Sequence, residues 1–238
     1  MSPRQPKQDS IRKNKEARYH RQLDLVPLDE LEKHQVAVVG LGAVGRQVVM
    51  LLASMGIERP TLVDFDTVDM VNISTQGYLE EDIGKPKVEA AANHWLKVNP
   101  KAQPVCLNER VHDLMRLGDT IFCCVDSMSG RKQVWEAAGR DCWYWADGRM
   151  GEEVVLTFSA YDNPTRDYYQ SSLITDEEAK PIRCTAQGTL YMAYLASSLM
   201  VGGFARRLRK VPVAAEVCFN MLADVCSVKD GKREQPAS

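Results

Sequence analysis

Val36-Ala-Val-Val-Gly40-Leu-Gly42-Ala-Val-Gly45, followed by a helix-like run and then Thr61-Leu-Val-Asp64-Phe-Asp66, is read as strand, glycine turn, helix, strand. The apolar run from Val36 ends in Gly40, Gly42 lets a phosphate approach the backbone closely, and Gly45 lets the following helix pack tightly on the sheet. The free N–H groups at the start of that helix favour an anion. Asp64 stands about 20 residues beyond Gly45, where a carboxylate at the end of a second strand accepts hydrogen bonds from ribose hydroxyls. The pattern therefore predicts a bound nucleotide. Dinucleotide and ATP sites share this geometry, so the turn alone leaves the two open.

Outward from this unit, strands and helices keep alternating. Residues 47–55 form a largely apolar helix that ends at Gly56, a suitable C-terminal glycine. Residues 67–78 are polar and turn-rich and are expected as a loop over the strand ends. Gly84-Lys85-Pro86-Lys87 leads into an amphipathic helix over 88–98. Strands are expected at 103–108 and 120–125, then Asp126-Ser-Met-Ser-Gly-Arg131 and a helix to about 140. A short strand at 142–146 is followed by Asp147-Gly-Arg-Met-Gly151 and a β-branched run to Tyr161. Residues 162–183 are expected as a long loop, 185–209 as a helix that is buried or at a subunit contact, and 214–228 as pairing antiparallel with 154–161. The expected fold class is α/β: a Rossmann-like doubly wound, mostly parallel sheet with antiparallel strands toward the C-terminus. One domain is expected over 18–228, between disordered tails at 1–17 and 229–238.

With 30 basic and 32 acidic residues and a formal net charge of −2, composition gives no general reason to invoke nucleic acid or an anionic membrane surface. No run has membrane-spanning length and the start does not resemble a secretory signal, so a cytoplasmic location is expected. The 7 cysteines include no Cys-x-x-Cys pair, and no zinc site is expected.

Five further elements follow in order: Arg18-Tyr-His-Arg21-Gln22, Asp64-x-Asp66, Asn72-x-x-x-Gln76, Gly84-Lys-Pro-Lys87 and Val125-Asp126-Ser-x-x-x-Arg131. This ordered set resembles the ThiF/MoeB family, the bacterial relatives of ubiquitin-activating enzymes. The resemblance covers residues 18–140 well and the remainder loosely. It implies ATP rather than NAD, with Mg2+, and an adenylyltransferase that activates the C-terminal carboxylate of a ubiquitin-like or sulfur-carrier protein as an acyl adenylate. It further implies that Gly40, Gly42, Gly45, Asp64 and Asp66 cradle the nucleotide, that Asn72 and Gln76 orient it, and that Lys87 contacts its phosphates. Asp126 would bind the metal, Arg131 would help to shape the site, and Arg21 would reach the partner's site in a homodimer.

The family pattern has an arginine just before the glutamine; here that residue is Thr75. Lys85 is the nearest substitute in sequence. Cys184, beside Arg183 at an expected helix start, is either an acyl acceptor or an inert thiol. Plain structural readings stand beside these roles: Lys87 as a solvated helix residue, Asp126 as a helix cap, Arg21 as a surface charge. Other functions on the same fold are adenylation of a tRNA-borne carboxylate, which the basic tail suggests, and a non-catalytic ATP-binding or dimer scaffold, which Thr75 suggests. An NAD-dependent oxidoreductase ranks last, since it gives Arg21, Lys87 and Asp126 no shared purpose.

Overall fold

The computed structural model describes residues 17–113, 115–179 and 189–231. Its sheet has eight strands: β1 (Val36–Val39), β2 (Thr61–Val63), β3 (Val105–Leu107), β4 (Thr120–Cys123), β5 (Tyr144–Gly151), β6 (Val154–Ala160), β7 (Glu216–Asn220) and β8 (Val225–Lys229). They lie in the order β3-β2-β1-β4-β5-β6-β7-β8. The strands from β3 to β5 run parallel, and β6, β7 and β8 add antiparallel. This is the doubly wound Rossmann-like sheet that the sequence pattern predicts.

Every residue of β1 is buried, as expected of a central parallel strand covered on both faces. Successive side chains part to opposite sides. Val36, Val38, Phe122 and Tyr144 meet helices α2 (Ala43–Met55), α4 (Lys87–Val98) and α7 (Leu190–Leu208) through Val48, Leu52, Trp95 and Phe204. Ala37, Val39, Ile121 and Trp145 meet α5 (Met128–Val134) and α6 (Asn163–Ser171) through Val134, Trp135 and Tyr169. Two short helices, α1 (Leu28–Leu31) and α3 (Val71–Gln76), complete the set numbered here. The chain leaves β1 toward β2 and β3, then returns to β4 on the other side of β1. That reversal opens a crevice at the carboxyl ends of β1 and β4. Among the described residues, no helix is long and apolar enough to cross a membrane.

Several boundaries differ from expectation, each for a local reason. The segment expected as a loop at 67–78 contains α3, because Asn72 Oδ1 accepts from Asp69 N (2.9 Å) and Gly77, at φ 77°, ends the helix in the left-handed region. The 162–183 loop contains α6. Asp162 Oδ1 accepts from Thr165 N (3.0 Å), Thr165 Oγ1 accepts from Asp162 N (3.1 Å), and Pro164 sits in the first turn. Asp162→Ala is expected to cost about 1 kcal/mol, read in a denaturant melt; an unchanged midpoint would show that packing alone holds α6.

The strand expected to end at 146 runs on to Gly151, through Gly148. The turn follows at Glu152, whose φ is 52°. Lys229, placed in the C-terminal tail by sequence, is the last residue of β8, and its Nζ pairs with Glu216 at 2.9 Å. The described part of the long helix expected from 185 is Leu190–Leu208. Residues 1–16, 180–188 and 232–238 are outside the described set, so most of both expected tails, and Cys184, lie outside it too.

Candidate active site

The carboxyl ends of β1, β2, β4 and β5 surround a cavity of about 910 Å3. A smaller one, of about 510 Å3, lies at the opposite ends of β1 and β4, among Gln35, Gly118 and Asp119. The larger cavity is where ligands bind in open α/β sheets, and it holds the acidic and basic residues that the motifs single out.

The glycine turn forms its floor. Gly40 has φ 85°, and a Cβ there would stand 2.7 Å from Cys124 O. A Cβ on Gly45 would stand 1.8 Å from Gly40 O, so only glycine lets α2 begin this close to the turn. On Gly42 a Cβ would meet nothing within 4 Å. That open side faces the cavity, where an anion can approach the backbone. The turn is clamped from outside by two contacts to Leu41. Its N–H donates to Asp64 Oδ2 at 2.5 Å, and its carbonyl accepts from the Tyr78 hydroxyl at 2.8 Å.

Asp64 also accepts from Asp66 N through Oδ1 (2.8 Å), and burial raises its pKa. Each of its oxygens keeps a second acceptor position for a ribose hydroxyl. Lys87, buried at the start of α4, donates to Asp66 Oδ2 at 3.0 Å and lines the cavity. Asn72, Thr75 and Gln76 line it from α3. Gln76 is tied to α2 by its carbonyl, which accepts from Gln47 Nε2 at 2.8 Å.

Asp126 lies on the cavity wall after β4. The cap of α5 is Ser127, whose Oγ accepts from Gly130 N at 3.1 Å, so the helix-cap role considered for Asp126 belongs to its neighbour. Arg131 is buried, its Nε donating to Asp147 Oδ1 (2.9 Å) and its Nη2 to Gly148 O (3.2 Å).

Residues 18–215 match the model of the ThiF family. The chain belongs to the ThiF family. Among relatives of this ThiF family chain, the molybdopterin-synthase adenylyltransferase of Salmonella typhimurium is 34% identical over 128 residues, 49% of this chain and 51% of that protein. The ubiquitin-like modifier-activating enzyme 5 of Caenorhabditis briggsae is 27% identical over 82% of this chain and 51% of its own length. The sulfur carrier protein ThiS adenylyltransferase of Escherichia coli is 31% identical over 49% of this chain and 51% of its length. The chain thus spans about half the length of these relatives. Among solved structures, that of E. coli MccB with AMPCPP and MccA superposes with a TM-score of 0.73 at 16% identity, covering 93% of this chain and 73% of that one. That likeness concerns the fold.

In this ThiF family chain the cavity brings together Gly40, Gly42, Asp64, Asp66, Asn72, Gln76, Lys87, Asp126 and Arg131. Gly45 supports the turn from beneath. Two basic residues do not join them. Lys85 pairs with Asp82 at 3.5 Å and is absent from the lining, so it does not substitute for an arginine at 75. Arg21 is exposed beside Gln22, whose amide donates to Met55 O (3.2 Å) at the far end of α2. A helix of 13 residues spans about 20 Å, so Arg21 does not reach its own chain's cavity.

Sequence reasoning missed other lining residues. Arg110 lies over the Phe65 ring at 3.6 Å from its centroid, a contact between residues far apart in sequence. Asp176, after α6, accepts from Met128 N at 2.7 Å and from Ser129 N at 3.3 Å. The Ser129 and Met128 bonds hold its carboxyl below the ordinary carboxylate range. Arg149 lines the cavity and was passed over, as was the wholly buried Asp147 behind it. A charged Asp-x-Arg just after the aromatic run Trp143-Tyr-Trp145 was the signal available for them.

Proposed function

We propose that this chain is an ATP-dependent adenylyltransferase that activates the C-terminal carboxylate of a ubiquitin-like or sulfur-carrier protein. The observation that carries the reading is the glycine turn with its open face at Gly42, set between Asp64 on one side and Lys87 and Asp126 on the others. The names of the relatives, adenylyltransferases and a modifier-activating enzyme, support the reaction class. Asp64 holds the ribose, the turn's N–H groups and Lys87 hold phosphate oxygens, and Asn72 and Gln76 fix the orientation. A substrate carboxylate oxygen attacks the α-phosphorus; the bond to the β-phosphate oxygen breaks, and pyrophosphate leaves with the electron pair.

Among the described residues no group of three or more His, Cys, Asp or Glu stands together. Mg2+ needs only one or two carboxylates when substrate phosphates complete its shell, and Asp126 fits that role. The ion would neutralise charge on the leaving pyrophosphate. Arg21, out of reach of its own cavity, acts across a homodimer. The adenylation domain spans 18–229, to the end of β8, and works in the cytoplasm. Cys184 takes the acyl group onward where transfer to sulfur follows.

ATP–pyrophosphate exchange with candidate carrier proteins tests this. Exchange is expected only with the carrier present, and Asp126→Ala is expected to lower it by about two orders of magnitude or more. Exchange untouched by that substitution removes the metal assignment. Thr75 favours a second reading: its hydroxyl donates to Val71 O at 2.7 Å, back onto α3, and supplies no cation. Silence with every carrier would make the chain a non-catalytic ATP-binding scaffold.

A further inference from the structure

We propose that Arg149, held by the buried carboxylate of Asp147, receives the free carboxylate of the acyl substrate beside the nucleotide. The inference rests on the adenylyltransferase reading for which substrate enters from which side. Asp64, at the end of β2, commits the β2–β3 half of the cavity to the nucleoside, and the glycine turn takes the middle. What is left is the β4–β5 half, walled by Asp126, Arg131, Arg149, Met150 and Asp176.

The charge of that wall is uneven. Asp147 is fully buried and is shared by two guanidinium groups, Arg131 Nε on Oδ1 (2.9 Å) and Arg149 Nε on Oδ2 (2.8 Å). The Tyr169 hydroxyl also donates to Oδ2, at 3.2 Å. One carboxylate between two permanent cations leaves this cluster with a net positive charge, which favours an anion at the cluster itself, while Asp126 and Asp176 keep the rest of this half acidic.

Of the two cations Arg149 is the one that a ligand meets. Its side chain is 17% exposed against 6% for Arg131. It spends Nε on Asp147, one Nη1–H on Ser172 O (3.1 Å) and one Nη2–H on Ser172 Oγ (2.9 Å). A guanidinium has five N–H groups, so one remains on each Nη, and each can donate to an oxygen of a ligand. The Phe158 ring, 4.2 Å from Cζ, fixes the plane, so little side-chain entropy is left to lose. The contact is made to an anion. Once the carboxylate is esterified to phosphate its charge is gone, so Arg149 governs capture of the acyl substrate and leaves nucleotide affinity alone.

Glycylglycine and glycylglycinamide, which differ at the C-terminal carboxylate, serve as probes, titrated by NMR into the full chain saturated with a non-hydrolysable ATP analogue. The wild type is expected to bind the carboxylate at least about tenfold more tightly than the amide. Arg149→Gln is expected to erase that preference while the analogue binds as before, which also shows that the variant is folded. Should Arg149→Gln not fold, Arg149→Lys carries the test, with a several-fold smaller preference because a mobile point charge replaces the fixed guanidinium N–H groups. No preference in the wild type, or one that survives in both variants, overturns the proposal. So does a loss of analogue affinity with the preference intact, since Arg149 would then serve phosphate. Failure of pyrophosphate exchange with every carrier removes the adenylyltransferase reading and leaves this binding result standing, so the two failures are told apart.

Discussion

Asp147→Asn is expected to lower the melting temperature at pH 7 by roughly 6–20 °C. Removing one member of a buried, hydrogen-bonded ion pair costs about 3–5 kcal/mol, because the partner is left as an uncompensated buried charge. In a domain of this size each kcal/mol moves the melting point by about 2–4 °C. Here two guanidinium groups lose their common anion, and Tyr169 loses an ionised acceptor. The loss is a large part of the roughly 5–15 kcal/mol that holds a domain folded. Burial would raise the Asp147 pKa, but Arg131 and Arg149 outweigh it and hold the group below its ordinary value. A carboxyl lowered in the folded state contributes stability that is complete above the unfolded pKa, near 4, and is lost as pH falls through the folded value. The wild type should therefore lose stability below about pH 4, and Asp147→Asn should show a flatter acid limb. Melts from pH 2.5 to 7 read both effects. A variant within about 2 °C of wild type at pH 7 would show that other anions neutralise the pair.

How much of this was legible in the sequence follows from how local each feature is. The glycine turn and Asp64 are set by backbone conformation and by residues close in sequence, so period and spacing placed them, whereas Lys87 was singled out by the family resemblance. The wall built on Asp147 was reached by neither. Gly148 and Gly151 lie in β5, and a Cβ on Gly148 would stand 2.6 Å from Met200 Sδ of α7. That glycine answers to a helix about fifty residues away, a contact that no local pattern reports. The same distance hid Arg110 on Phe65 and Asp176 on the start of α5. Helix α6 was missed more narrowly: Asp162 and Thr165 form a capping box with threonine in the place usually held by Glu or Gln. Arg21 is legible as a motif, and its distance from the cavity comes only with the fold.

Gly45→Ala and Gly42→Ala are expected to fail in different ways, although both glycines belong to one fingerprint. An alanine Cβ at 45 would lie 1.8 Å from Gly40 O, 2.9 Å from Gly40 C and 3.2 Å from Cys124 Cβ. Backbone cannot rotate aside as a side chain does, so α2 must move off the turn. Overpacking of this kind costs about 1–3 kcal/mol and more where nothing yields, and it shifts the N–H groups that form the anion site. Gly45→Ala should therefore lose both stability and ATP affinity. At 42 the backbone has φ −70° and the Cβ direction is open, so stability should stay within about 0.5 kcal/mol of wild type. The methyl group instead occupies the space over the turn, and ATP should bind at least about tenfold more weakly, a loss of about 1.4 kcal/mol. Thermal melts beside calorimetric ATP titrations separate the two. If Gly42→Ala binds ATP like the wild type, the phosphates do not pass over this turn, and the nucleotide site must be sought elsewhere along the strand ends. If it melts as early as Gly45→Ala, the open side of Gly42 is a packing surface rather than a ligand-facing one.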